Sequence, residues 1–426
     1  MRLYKSPIMV AVLMAGGALA VDYDAPPEEP ASASLAPELA AGPNFHVKDP
    51  VQSDGLMHHY AIESSFGEFP AYGQEALKVR VREMAALTEL SKKTDIGVAT
   101  KAVEQSVENQ AKTVKKVVTN PVGTITGIPK GIGHLFSGYK AEANEAADQA
   151  KKDTGGSDSA SNVAHSAKAD ATRYADRYLG VSAAERRYYQ ELGVDPYTNN
   201  QVLRKVVHHL AKVQATVNLG MHFVGVPGVP YLSDVQHAMD AIYNEDPAVL
   251  RARQRTVLAG YGLSPAEVAR FENTLLLSPT RQTLLVEDAK LLDGVEGRGE
   301  LFRHAMSLTS DEEVGVFIAS TRMLVRLHAQ EPVARILDGL RLPTVETRDG
   351  RTVVLGAFDA VYWTKEVAGY ESALHAALPA SSHELEVWLS GSISPAARDQ
   401  LTSHGWVVHD HAEDALTKKL ALLVNP

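Results

Sequence analysis

Between residues 75 and 93 the apolar side chains Leu77, Val81, Met84, Leu87 and Leu90 return at intervals of three or four, the spacing that lines one face of an α-helix. The first part of this stretch also alternates in strand fashion, with Leu77, Val79 and Val81 set against Lys78, Arg80 and Arg82. Alanine, leucine and glutamate in the second half favour the helix. Just upstream, Tyr60, Ile62, Ser64 and Phe66 alternate over residues 58–66 and predict a short strand. Downstream, Val98, Val103, Val107, Ala111, Val114 and Val118 recur at roughly helical spacing, predicting a second amphipathic helix with a thin core face.

Residues 119–139 keep an apolar series of Val122, Ile125, Ile128, Ile132, Leu135 and Phe136, but glycines at 123, 127, 131, 133 and 138 and prolines at 121 and 129 interrupt it. Those breakers argue against a regular long helix. Short helical turns joined at glycines still keep one greasy face together, and such a face must be covered by something.

From residue 182 the pattern is helical with clear punctuation. Ser182 with Glu185 makes a capping box, Gly193 ends the first helix, and the pairs Asp246-Pro247, Ser264-Pro265 and Ser278-Pro279 each place a cap before a proline at the first helical position. Ser310 with Glu313 opens the last strong helix, whose buried stripe is Val314, Phe317, Thr321, Leu324 and Leu327. About seven helices follow one another in this way up to residue 342.

Beyond Pro343 the period changes. Val353, Val354 and Leu355 make a strand, Thr364 caps a helix, residues 384–389 return to strand, Ser394-Pro395 opens a helix, and residues 406–409 form a strand before a final helix over 412–423. Strand and helix alternating three times predict a parallel layer. The fold expected is therefore α+β and predominantly α-helical: a multi-helix domain at 182–342, then a small α/β layer at 343–426 with three or so parallel strands.

Composition sets the rest of the outline. Arg2 and Lys5, an apolar run over 7–15 and Ala18-Leu19-Ala20 form a secretory signal peptide over 1–20, too short to span a membrane. Residues 21–55 are rich in Ala, Pro, Glu and Asp and read as a disordered tether, and residues 141–181, rich in Ala, Ser, Asp, Lys and Gly, as a linker. There is no cysteine, so disulfides and thiol chemistry are excluded, and an exported chain of this kind belongs in a bacterial envelope or outside the cell. The formal charge of −10 becomes −12 once Arg2 and Lys5 leave with the signal, which speaks against nucleic acid as a partner.

Against that acidic whole, residues 97–140 hold six lysines and two glutamates, a local charge of +4. Within the unit 56–140, this basic segment and the apolar series coincide. Lys112, Lys115, Lys116, Ile125, Ile128, Lys130, Ile132, Leu135 and Phe136 are thus the expected contact residues for an anionic membrane surface or an envelope protein. Packing of the segment on its own helical domain is the plain alternative.

Chemistry has weaker signals. His404, His409, Asp410 and His411 form the densest run of ligand types, with Asp414 beyond; if the strand continued to residue 411, His409 and His411 would share a face about 7 Å apart and suit one zinc. Ligands collect at strand ends in open α/β sheets, so this pair supports a competing reading, a periplasmic, metal-assisted hydrolase. A polar strand exit accounts for the same residues. His208 and His209 point in different directions on a helix, the glycines of residues 293–300 lack the lysine-serine or lysine-threonine ending of a phosphate loop, and Ser392 and Ser394 lack a nucleophile elbow. Apart from zinc no cofactor is expected. The sequence supports a non-enzymatic, envelope-associated interaction or structural protein.

Overall fold

In the computed structural model, residues 23–93, 134–136, 168–212, 236–413 and 415–416 are described. The signal peptide expected over 1–20 lies outside these residues, as do residues 94–133 and 137–140 with all six lysines of the basic segment.

Helix α3 (Gln74–Lys93) forms where the three-four spacing put it, and Leu77, Val81, Met84, Leu87 and Leu90 are all buried while Val79 is 45% exposed. The exposure of Val79 settles the helix-strand ambiguity, because strand alternation would have buried it beside Leu77 and Val81. The helix packs on β4 (His58–Ser64) and β5 (Gly67–Tyr72), antiparallel neighbours in register from His59↔Tyr72 to Ser64↔Gly67. Pro70 sits inside β5 without harm because β5 pairs with β4 alone among the described strands, leaving its other edge unpaired.

Residues 23–55 are not a tether. They form helical turns α1 (Ala31–Ser34) and α2 (Pro37–Ala40) and the strands β1 (Ala41–Gly42), β2 (Phe45–Val47) and β3 (Gln52–Ser53). Ala31, Leu35, Leu39, Phe45, Val47 and Val51 are buried against the β4 sheet and α3. Few apolar residues are needed when each one docks on a surface built elsewhere in the chain, and the acidic residues that made the stretch look unstructured supply acceptors: Asp49 takes the Ala31 amide at 2.6 Å.

The helical region forms with its caps in place. Along the chain come α4 (Ala183–Leu192), α5 (Gln201–Lys212), α6 (Gln236–Asn244), α7 (Pro247–Gly260), α8 (Pro265–Asn273), α9 (Pro279–Leu291), α10 (Gly299–Ser307) and α11 (Asp311–Gln330). Ser182 and Ser264 each make a complete capping box, with Glu185 and Glu267, and Gly193 closes α4 with φ 64°.

A boundary at 182 or at 343 is not what the packing shows. Helices α4, α5 and α6, with Tyr174 and Tyr178, share a core with residues 31–90. Residues 258–342 share a second core with the C-terminal strands and helices. Between the cores runs α9, whose Leu284 packs with the first and Leu285 with the second.

The C-terminal layer is a mixed five-stranded sheet rather than three parallel strands alone. β8 (Thr352–Gly356), β10 (Leu385–Leu389) and β12 (Val407–His409) pair in parallel, and β7 (Thr344–Thr347) and then β6 (Val333–Ile336) extend the sheet antiparallel, beginning ten residues before the expected boundary. Helix α11 lies on β8, all five residues of which are buried. Helices α12 (Lys365–Ala377) and α13 (Pro395–Ser403) connect the parallel strands, each starting at its expected cap, Thr364 and Ser394. At the β12 edge, Arg398 donates to the Val408 carbonyl and pairs with Asp410 at 2.7 Å, which blunts that edge.

Candidate functional site

The carboxyl ends of β8, β10 and β12 are where an open parallel sheet takes its ligands. Here the chain leaves β8 through Ala357, Phe358 and Asp359 into β9 (Ala360–Val361), and leaves β10 through Ser390 and Gly391 into β11 (Ser392–Ile393), which pairs in parallel with β9. The two exits cross so closely that a β-carbon on Gly391 would lie 1.9 Å from the Asp359 carbonyl oxygen, so glycine is the residue that fits.

Against these exits lie the protein's own residues 55–57, which lead into β4. The amides of Asp359 and Ala360 donate to the Leu56 carbonyl at 3.0 and 3.2 Å, and that of Tyr362 to the Gly55 carbonyl at 2.9 Å. Leu56 and Met57 are buried in the second core.

Three carboxylates fasten this tongue and its flanks. Asp359 accepts from the amides of His58 at 2.9 Å and Gln74 at 3.0 Å. Asp54 accepts from the amides of Leu56 and Met57 and from the Tyr72 hydroxyl at 2.6 Å. Asp24 accepts from the Trp363 amide at 2.7 Å and from the Ser394 hydroxyl, while its own amide donates to the Trp363 carbonyl.

Their surroundings push these groups in opposite directions. Burial drives the Asp359 carboxyl above its ordinary range, offset only in part by the amides of Gln74 and His58 and by the charge of His58. Burial also opposes ionisation of Asp54, but His59, Tyr72 and the Met57 amide outweigh it and hold the carboxyl low. Mainly through burial, the phenols of Tyr60 and Tyr72 are held far above the usual tyrosine range.

The ligand types grouped in the sequence near the C-terminus go to separate partners. Strand β12 ends at His409, and His411 stands two residues further on with φ 48°, exposed, its amide donating to the Gly391 carbonyl. The alternation that would align His409 with His411 therefore stops before it reaches the second ring. His409 instead packs on Trp388, with ring centres 4.5 Å apart, and its Nε2 is 3.3 Å from Glu386. His404 is 2.9 Å from Glu371 and Asp410 is paired with Arg398; Asp414 lies outside the described residues. Among the described residues no group of three or more His, Asp or Glu is placed to hold a metal.

His208 meets Glu185 at 2.8 Å, and His209 is exposed. Ser394 caps α13 through the Ala397 amide. In the loop at 293–300, Gly297 presses against the Ile336 carbonyl of β6, as a helix-to-strand packing turn does. Trp363 and Trp406 are buried, and Trp388 donates to Glu386 at 2.8 Å.

Of the nine contact residues expected in the basic segment, Lys112, Lys115, Lys116, Ile125, Ile128, Lys130 and Ile132 lie outside the described residues. Leu135 and Phe136 do not face a membrane: they are buried in the second core. The Phe136 ring is stacked between Tyr370 of α12 and Phe358, at centroid distances of 4.9 and 5.6 Å. The apolar face is thus covered, at this end, by the chain itself.

Sequence reasoning missed Asp24, Asp54, His58, His59, Tyr72 and Asp359 as one group. No local signal joins them, since His58 and Asp359 are 301 positions apart. Compared with family models, with curated proteins and with solved structures, the chain matches none.

Proposed function

We propose that this protein is an exported, non-enzymatic interaction or structural protein of the cell envelope, whose lysine-bearing segment 97–140, apart from the buried Leu135 and Phe136, rests on an anionic membrane surface. The observation that carries the reading is the employment of the polar groups at the strand exits. Asp24, Asp54 and Asp359 hold backbone amides and neighbouring side chains, and residues 55–57 are hydrogen-bonded to the strand exits. Carboxylates engaged in this way position the chain and leave little for general acid or base work.

The segment's attachment supports the same reading. Leu90 on one side of the lysines belongs to the first core, and Leu135 and Phe136 on the other belong to the second. Its charge of +4 therefore travels with a folded body. Basic residues near an anionic surface contribute about 1 kcal/mol each, so adsorption is weak, reversible and sensitive to salt.

Vesicle flotation tests this. The protein is expected to rise with anionic vesicles at low ionic strength, to stay behind with neutral ones, and to come off the anionic ones as salt is added. Failure to float with anionic vesicles at low salt would refute the surface reading.

A further inference from the structure

The tongue at 55–57 enters the second core from β4, and the first two residues of that strand are His58 and His59. Successive side chains on a strand face opposite ways. The two imidazoles accordingly meet different carboxylates: Nδ1 of His58 is 3.7 Å from Asp359 Oδ2, and Nε2 of His59 is 3.3 Å from Asp54 Oδ2. Each of those carboxylates is also a fastener of the joint. Asp54 Oδ1 takes the Leu56 and Met57 amides of the tongue at 2.9 and 2.8 Å. Asp359 ties the loop after β8 to β4 and to the start of α3 at once.

We propose that this joint is a pH-responsive latch between the two cores, tightest when His58 and His59 carry protons and looser once both are neutral. An imidazole changes charge between about pH 5 and 8, and a protonated ring beside a buried carboxylate relieves the cost of leaving that charge unpaired. The other groups facing the joint act in the same direction or stay silent. Glu75 at the start of α3 adds negative charge near Asp359, and Glu312 at the start of α11 adds it near Tyr72. The Tyr60 hydroxyl lies 3.2 Å from His58 Nδ1 and the Tyr72 hydroxyl donates to Asp54; burial keeps both phenols neutral, and pushes Tyr370 of α12 up to about 12.

The carboxyls bound the window. Asp359, raised by burial, contributes stability that is present at low pH and lost as pH rises through its folded value. Asp54 is held low, so its contribution is present above its unfolded value and lost as pH falls through the folded one. The latch therefore closes in mildly acidic medium and weakens on both sides.

Hydrogen exchange reads the joint directly, because the amides of Asp359, Ala360 and Tyr362 donate to the tongue. Their protection, corrected for intrinsic exchange and taken relative to amides in the β8–β10 ladder, is expected to fall severalfold between about pH 6.0 and 8.0. Asp359→Asn, which keeps an acceptor oxygen for the amides and removes the charge, leaves the His59–Asp54 pair in place and is expected to reduce this dependence. The double variant His58→Gln/His59→Gln, which removes both rings, is expected to reduce it further and serves if Asp359→Asn does not fold. Equal relative protection at the two pH values in the wild type, or an undiminished fall in the histidine double variant, would overturn the proposal.

Discussion

Phe136→Ala is expected to cost about 3–5 kcal/mol and to lower the melting temperature by many degrees. The ring is 7% exposed and stacked between Phe358 and Tyr370, so truncation removes an aromatic payload and opens a cavity in the second core. Burial rather than stacking is the larger part, since aromatic pairs add only about 0.5–1.5 kcal/mol beyond the area they bury. Calorimetric melts of the wild type and the variant decide the matter. An unchanged melt would mean that the end of the basic segment is a surface element, and the contact set would have to regain Leu135 and Phe136.

Glu83→Ala is expected to be as severe, about 3–5 kcal/mol, because it strips a buried carboxylate from three donors at once. Glu83, 1% exposed on α3, accepts from Arg80 at 2.7 Å, from Asn200 at 3.0 Å and from the Thr198 hydroxyl. Asn200 is also the cap of α5, its Oδ1 taking the amides of Val202 and Leu203 at 3.1 Å. Glu83 therefore orients a helix cap that lies more than a hundred residues away in sequence. Glu83→Gln keeps an acceptor and the shape, and is expected to lose roughly half as much. Chemical denaturation of the three proteins should rank them wild type, Gln, Ala; equal midpoints for all three would show that the carboxylate holds nothing together.

What the sequence made legible follows from how local each signal is. The caps at Ser182, Asp246, Ser264, Ser278, Ser310 and Thr364 act within four residues, and all of them form. The α3 and α11 stripes act within a few turns and are buried as their spacing requires. Residues 23–55 fail the same kind of reading because their burial depends on β4 and α3, which the composition of the stretch does not mention. β6 and β7 are four residues each and were hidden between a long helix and the stronger apolar run of β8. The joint at Asp359 is the least legible of all, since its partners sit 285 and 301 positions away. The histidine pair at 409 and 411 shows the converse: the two residues are close in sequence, but β12 ends at His409, so strand alternation does not align their rings.

The most direct test of the surface reading changes the lysines. Lys112, Lys115, Lys116 and Lys130 replaced together by glutamine remove four positive charges from the segment. At about 1 kcal/mol for each, binding to anionic vesicles at low salt is expected to weaken by two to three orders of magnitude, with the melting temperature unchanged. Vesicle binding equal to that of the wild type would contradict the account.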